Sequence, residues 1–492
     1  MVHLLLKSSL LAGVVALAAA AAATSLLHVP FGAVIDALGE RTPGELIRYA
    51  QRRLEGHDRL VRVAQPVLTL VQRQLERPVP EAELPTLGKG PQSGSLPSVS
   101  YDADGRPRAA LASDPAPDEP AAATKLIHNA GELSRAMSAA KAGDVLELVP
   151  GLYAIRQTIE TAAGGTPSRP IVLRAARPGS VTLELDTVEG FRVGHPYWVF
   201  ENLVLRGVCR HHGDCEHAFH IVGSARGVVV RNNRIEDFNA HLKINGERGH
   251  WPDDGLIQFN LLTDRVARQT DQPVVPIDLV GASGWQVADN IISHFVKAGG
   301  NGISYGVFMK GGGHAGRIER NLLLCSGHDI SAPGSRVGVS FGDGGTGQAF
   351  CRDGRCAAEH LDGLVANNVI AHCNDFGIDV FRSPRTVVAF NTLINTAGID
   401  VRHAPATAQV YGNLLEGRIR ARHGAQLSQQ HNDVVDLADV LTAPDRLCLT
   451  RRAMAEPIEP LEGVEQDFER RPRTRITTSG ALSAAPPCTR SP

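Results

Sequence analysis

From residue 197 onward the chain repeats one short pattern: a few apolar residues, an asparagine, then a few more apolar residues. It reads YWVFENLVLRG from Tyr197, VVVRNNRIEDF from Val228, GLIQFNLLTDR from Gly255 and WQVADNIISHF from Trp285. It continues as GRIERNLLLCS from Gly316, GLVANNVIAHC from Gly363, TVVAFNTLINT from Thr386 and AQVYGNLLEGR from Ala408. The asparagines are Asn202, Asn233, Asn260, Asn290, Asn321, Asn368, Asn391 and Asn413, spaced by 31, 27, 30, 31, 47, 23 and 22 residues. Coils of this length with asparagine at one fixed turn predict a parallel β-helix. Asparagine tolerates left-handed backbone angles, and stacked side-chain amides can bond from coil to coil. Propeller blades need about 40–45 residues, and leucine-rich repeats follow a consensus that is not seen here. The fold class read from the pattern is all-β, a right-handed parallel β-helix of about ten coils, its handedness taken from the rule for parallel crossovers.

A second strand precedes the asparagine segment in each coil. Seven align: FHIVG from Phe219, LKING from Leu242, IDLVG from Ile277, VFMKG from Val307, VSFGD from Val339, IDVFR from Ile378 and IDVRH from Ile399. Their first and third positions are always apolar, so those side chains point inward. The second and fourth positions then face outward: His220, Lys243 and Asn245, Asp278, Phe308 and Lys310, Ser340, Asp379 and Phe381, Asp400 and Arg402. With coils about 4.8 Å apart these side chains make one stripe. An exposed sheet face is polar by default. This one also carries two phenylalanines, and the long segments Cys351–Gly363 and Gly246–Gly255 are placed to wall a cleft beside it. Aromatics stack on sugar faces and charges bind uronates, so the stripe suits an acidic polysaccharide.

The rest of the chain sets the context. Lys7 precedes an apolar run from Ser9 to Leu27, which reads as a signal peptide or a membrane anchor over residues 1–27 and predicts export to the periplasm or outward-facing anchoring. Residues 28–77 contain an amphipathic helical pattern broken at Pro66, read as a spacer. Residues 78–122 have linker composition and are read as disordered. The folded domain is read as 123–445, opening with a strand and a short helix that cap the stack, and 446–492 as a C-terminal tail. Fifty basic residues against 52 acidic ones argue against a nucleic-acid partner. Eight cysteines agree with an oxidising compartment. Cys209 with Cys215 and Cys351 with Cys356 are close enough to close small loops, and Cys448 and Cys488 to tie down the tail. Cys325 and Cys373 either stack in the core or bridge. Zinc on Cys209, His211, His212 and Cys215 is the alternative for the first pair, without the usual two-pair spacing. Oligomeric state leaves no trace in the sequence.

The segment NAGELSRAMSAAKAGDVLELVPGLYAI, followed by TPSRPIVLRAARPGSVTL and YWVFENLVLRG, resembles the N-terminal coils of polysaccharide lyase family 6, the chondroitinase B and alginate lyase group. The resemblance spans residues 124–420. It implies β-elimination on a uronate polymer, with a lysine taking the C5 proton, an arginine as acid, and calcium held by an asparagine and two glutamates. Lys310 matches the lysine in place. The glutamates would fall near Ile303 and Tyr305, which are not acidic, so no metal ligand is assigned. Arg402 is the candidate acid, and Tyr305, His314 or His328 the candidates to supply or take a proton. His220, Lys243, Asn245, Asp278, Phe308, Ser340, Asp379 and Phe381 are the candidates for binding substrate. Three other functions compete: a C5-epimerase, a glycoside hydrolase using Asp278, Asp379 and Asp400, and a non-catalytic glycan-binding or cell-envelope structural protein.

Overall fold

The computed structural model describes residues 90–92, 96–109, 124–326, 330, 334–342, 347–444, 447–474 and 476–483. By internal contacts the chain divides into residues 1–80 with 328–332, and 81–327 with 333–492. The first unit lies almost wholly outside the described residues, as do the expected signal or anchor and the helical spacer. No helix among the described residues is long and apolar enough to cross a membrane.

The second unit is a parallel β-helix. Its three long sheets contain twelve, eleven and ten strands, and each strand pairs in parallel with its counterpart one coil away. Apolar side chains from all three sheets meet in one core from Ile127 to Leu415. Aromatics stack within it: the rings of Phe191 and Phe219 lie 5.3 Å apart on neighbouring coils. At the open N-terminal end, the helix Ala130–Ser138 covers the first coil with Leu133 and Met137. It starts at Ala130 because Asn129 accepts from Glu132 N while Glu132 accepts from His128 N, a reciprocal cap.

The asparagine turn differs from its expected form. The left-handed residue comes one position before the ladder asparagine: Asn202, Asn232, Phe259, Asp289, Arg320, Asn367 and Phe390 all have φ between 54 and 66°. The asparagine after it points inward, fully buried. Asn260 Nδ2 donates to Val230 O at 2.9 Å and to Asn290 Oδ1 at 3.0 Å, and Asn290 Oδ1 also accepts from Asn260 N. The same bonds recur from Asn233 through Asn413 to Asn432, a rung with no counterpart among the eight repeats. Asn202 is off the ladder, in the left-handed position. Leu203 stands in the ladder position there, its N–H donating to Asn233 Oδ1.

Both flanking segments hold more structure than their composition suggests. Residues 96–109, inside the expected linker, lie on the twelve-stranded sheet. Val99 and Tyr101 cover Val199, Val229 and Leu256, and Arg231 donates to Pro97 O at 2.7 Å. Beyond the last coil the chain turns back along the stack. Arg473 is buried against Asn367, Gly480 and Ala481, and Phe468 and Leu482 join an apolar cluster with Leu322 and Leu414. Cys209–Cys215, Cys325–Cys373 and Cys351–Cys356 are disulfides, which excludes the zinc alternative and settles the Cys325 question. Cys448 is also disulfide-bonded, and Cys488 lies outside the described residues.

Candidate functional site

The stripe lies on the outer face of the ten-stranded sheet. Register places Arg192, His220, Lys243, Asp278, Phe308, Ser340, Asp379, Asp400 and Arg420 in one row. Two residues further along each strand, Asn245 and Lys310 flank Val280 in a second row that resumes with Phe381, Arg402 and Arg422. Seven strands were aligned by pattern, and the sheet has three more: Ile159–Glu160, Glu189–Val193 and Arg418–Arg422. The last two bring Glu189, Arg192, Arg420 and Arg422 to the face. Alternation in EGFRV and RIRAR marks Arg192, Arg420 and Arg422 as outward, while Glu189, on the inward parity, carries no such signal.

At the centre, Asp278 stands between two lysines. Lys243 Nζ is 2.5 Å from its Oδ2 and Lys310 Nζ 3.4 Å from its Oδ1. Asp278 is 2% exposed. Burial opposes its ionisation, but the charges of Lys243 and Lys310 outweigh burial and hold its carboxyl down to about 2. Lys310 Nζ also lies 4.0 Å from the centre of the Phe308 ring. Tyr305 stacks on Phe308 at 4.3 Å, and both rings are buried in a small cluster with Val275, Val337 and Phe376. Tyr305 shares that face because Gly306 takes the inward position beside it, where a Cβ would lie 2.6 Å from Gly338 O and 2.9 Å from Leu323. Phe308 is therefore a floor for Lys310 rather than an open sugar platform.

One coil toward the N-terminus, His220 faces oxygen on both sides, Glu189 Oε1 and Asn245 Oδ1, each at 2.8 Å. Arg192 reaches Glu247 at 2.7 Å. The hydrogen bond from His220 holds the Glu189 carboxyl down to about 2, against partial burial and with help from the charges of His220 and Arg192. Beside them, burial and the positive charges of His220 and Lys243 lower His217 to about 4, so it is neutral at pH 7.

Toward the C-terminus the same device recurs. Asp379 is clamped by both arms of Arg402 at 2.8 Å and accepts from Ser340 Oγ at 3.3 Å. Arg402 lies over Phe381, 4.6 Å from the ring centre. Asp400 takes Arg420 at 2.8 Å and Arg422 at 2.5 Å. Asp379 and Asp400 are 1% and 0% exposed. All three stripe aspartates thus lie beneath cations, which removes them as acid and base for hydrolysis.

The two expected walls meet. Arg352, in the loop closed by Cys351–Cys356, clamps Asp253 at 2.8 and 2.9 Å and donates to Gly281 O and Ser283 Oγ. Its own backbone N–H donates to Gly311 O, the residue after Lys310. Two catalytic candidates stand apart. Arg402 sits three strands from the Lys310 strand, so it does not serve as acid partner to Lys310. His314 lies past the glycine turn, exposed, in a two-residue strand paired with His360–Leu361. His328 lies outside the described residues. Calcium does not fit this donor set. The central carboxylate already faces two ammonium groups, and Asn245 Oδ1 accepts from His220. Among the described residues no cluster of three or more histidine, cysteine or acidic side chains could hold a metal.

No family model matches the chain, and no curated protein matches it. Solved structures do. Pectate lyase Pel9A superposes with a TM-score of 0.51 at 13% identity, covering 71% of this chain and 90% of its own. An alginate lyase from Paenibacillus sp. str. FPU-7 gives 0.37 at 17% identity, over 63% and 95%. The family 6 polysaccharide lyase Pedsa3628 from Pseudopedobacter saltans gives 0.36 at 14%, over 68% and 97%. The likeness to Pel9A shows a shared parallel β-helix fold.

Proposed function

We propose that this parallel β-helix is an exported protein that binds an acidic, uronate-containing polysaccharide on the outer face of its ten-stranded sheet and cleaves it by β-elimination. The observation that carries the reading is the Lys243–Asp278–Lys310 cluster, two ammonium groups over one buried carboxylate on an open sheet face. Three disulfides support export.

Lys310 is the base. It is held more loosely than Lys243, 3.4 Å from Asp278 against 2.5 Å, so losing its proton leaves Asp278 still neutralised by Lys243. As the free amine it takes the C5 proton of the uronate. The C5–H pair becomes the C4=C5 double bond, the C4–O bond breaks toward oxygen, and that oxygen takes a proton from water. Lys243, on the other side of Asp278, supplies positive charge to the sugar carboxylate as negative charge builds on it.

Binding without chemistry is the second reading. It is favoured by the ion pair itself, because an ammonium held by Asp278 attracts anions but takes no proton. Incubation with alginate, chondroitin, heparin and pectin, followed by ultraviolet absorbance of unsaturated ends, separates the two. The lyase reading expects a rise with one polymer that Lys310→Met abolishes. Tight binding with no rise across the panel favours the second reading.

A further inference from the structure

Apart from the Arg192 and His220 cluster with Glu189 and Glu247 at its N-terminal end, the charges on this face fall into two groups. The first is the lysine pair over Asp278. The second occupies the last three strands, Ile378–Phe381, Gly398–Arg402 and Arg418–Arg422. These carry four arginines (Arg402, Arg418, Arg420 and Arg422) against two carboxylates, Asp379 and Asp400, a surplus of two positive charges. Between the groups the row holds only Phe308 and Ser340, with Tyr305, Val337 and Phe376 beside them, so the middle is uncharged. Each group is built alike: a carboxylate buried in the sheet pairs with cations that keep part of their side-chain surface exposed. Arg420 and Arg422 keep about a quarter and a third of their side-chain surface exposed, 25% and 35%.

We infer that the second group is a distinct anion subsite, and that one polyuronate chain lies along the stack and engages both groups at once. This rests on the polysaccharide reading above and adds a direction and a minimum length to it. The geometry carries the direction, because both groups lie on the same rows and those rows run parallel to the stack. The Lys310 and Arg402 strands are three strand spacings apart, about 14 Å, so roughly four to five sugar units span the gap. An extended polyuronate advances per unit by nearly the spacing of one coil, so its carboxylates can meet each group without distortion. A chain that reaches both subsites gains by effective concentration, and one that reaches a single subsite does not.

The test is calorimetric titration of the full chain with sized oligogalacturonates and oligoalginates, of about two to three units and of about six to eight units, at low salt. The long oligomers are expected to bind about tenfold or more tighter than the short ones. Arg422→Gln is expected to shrink that step. The triple variant Arg420→Gln, Arg422→Gln, Asp400→Asn removes the arginines together with the carboxylate they neutralise, and is expected to abolish it. Equal affinity at all lengths, or a step that survives in a folded triple variant, overturns the inference. A single-stranded oligonucleotide that binds as tightly as the long uronate overturns the glycan assignment. A length step without unsaturated product supports the two subsites and sinks the lyase reading. Cleavage of short and long oligomers with equal KM does the reverse.

Discussion

Asp278→Asn isolates the electrostatics on which the site depends. The amide keeps the shape of the carboxylate and removes its charge, leaving Lys243 and Lys310 without a counter-ion. In the folded protein the Asp278 carboxyl is lowered from 3.8 to about 2. That difference corresponds to about 2–3 kcal/mol of stability at neutral pH. The direction follows from linkage. A carboxyl depressed on folding stabilises above its unfolded value and loses that contribution as pH falls through its folded value, here mostly between about pH 4 and pH 2. Urea denaturation of wild type and variant, followed by fluorescence, should therefore show a gap of about 2–3 kcal/mol at neutral pH that shrinks to well under half near pH 2. A gap that is absent at neutral pH, or constant across the range, would refute the account of Asp278 as a carboxylate held between two cations.

Other outcomes follow from the same structure. Lys310→Met should lower kcat by about 100-fold or more while the polymer still binds, read by the absorbance assay together with calorimetry. Asn290→Ala removes a buried amide that donates to Ile257 O, Ala288 O and Asn321 Oδ1 and accepts from Asn260 N, and should cost about 3 kcal/mol or more in urea denaturation. Asn202→Ala, off the ladder, should cost clearly less; equal costs would argue against the ladder. A double-mutant cycle on Arg352 and Asp253 should give a coupling of about 1 kcal/mol, since the pair is two-pronged but partly exposed.

The repeat was legible because the ladder asparagines and inward apolar pairs recur coil after coil. The role of the asparagine was only half legible. Pattern marks that a turn exists there, while register decides which of two adjacent residues takes the left-handed angle. That is why Asn202 looks like its successors in sequence and stands one position off them in space. Lys243, Asp278 and Lys310 could be brought together because strict alternation puts them on one face of neighbouring strands. The aligned strands already put Arg402 three strands beyond Lys310; what the pattern did not carry is that its guanidinium reaches back one strand to clamp Asp379. The outward turn of Tyr305 depends on Gly306 facing the core next to Val307, two successive inward positions that alternation does not foresee. The packing of residues 96–109 was hidden by composition, since Val99 and Tyr101 are two anchors among many small and polar residues.

The central claim is that Lys310 takes a proton from C5 of a bound uronate. Proton NMR of the bound polymer in deuterium oxide reads that event directly, with wild type and Lys310→Met side by side. The account predicts a growing vinyl C4–H signal with wild type and none with the variant. Deuterium entering C5 with inversion and no vinyl signal would mean epimerisation. A vinyl signal produced equally by Lys310→Met, or unchanged C5 protons under saturated binding, would contradict the account.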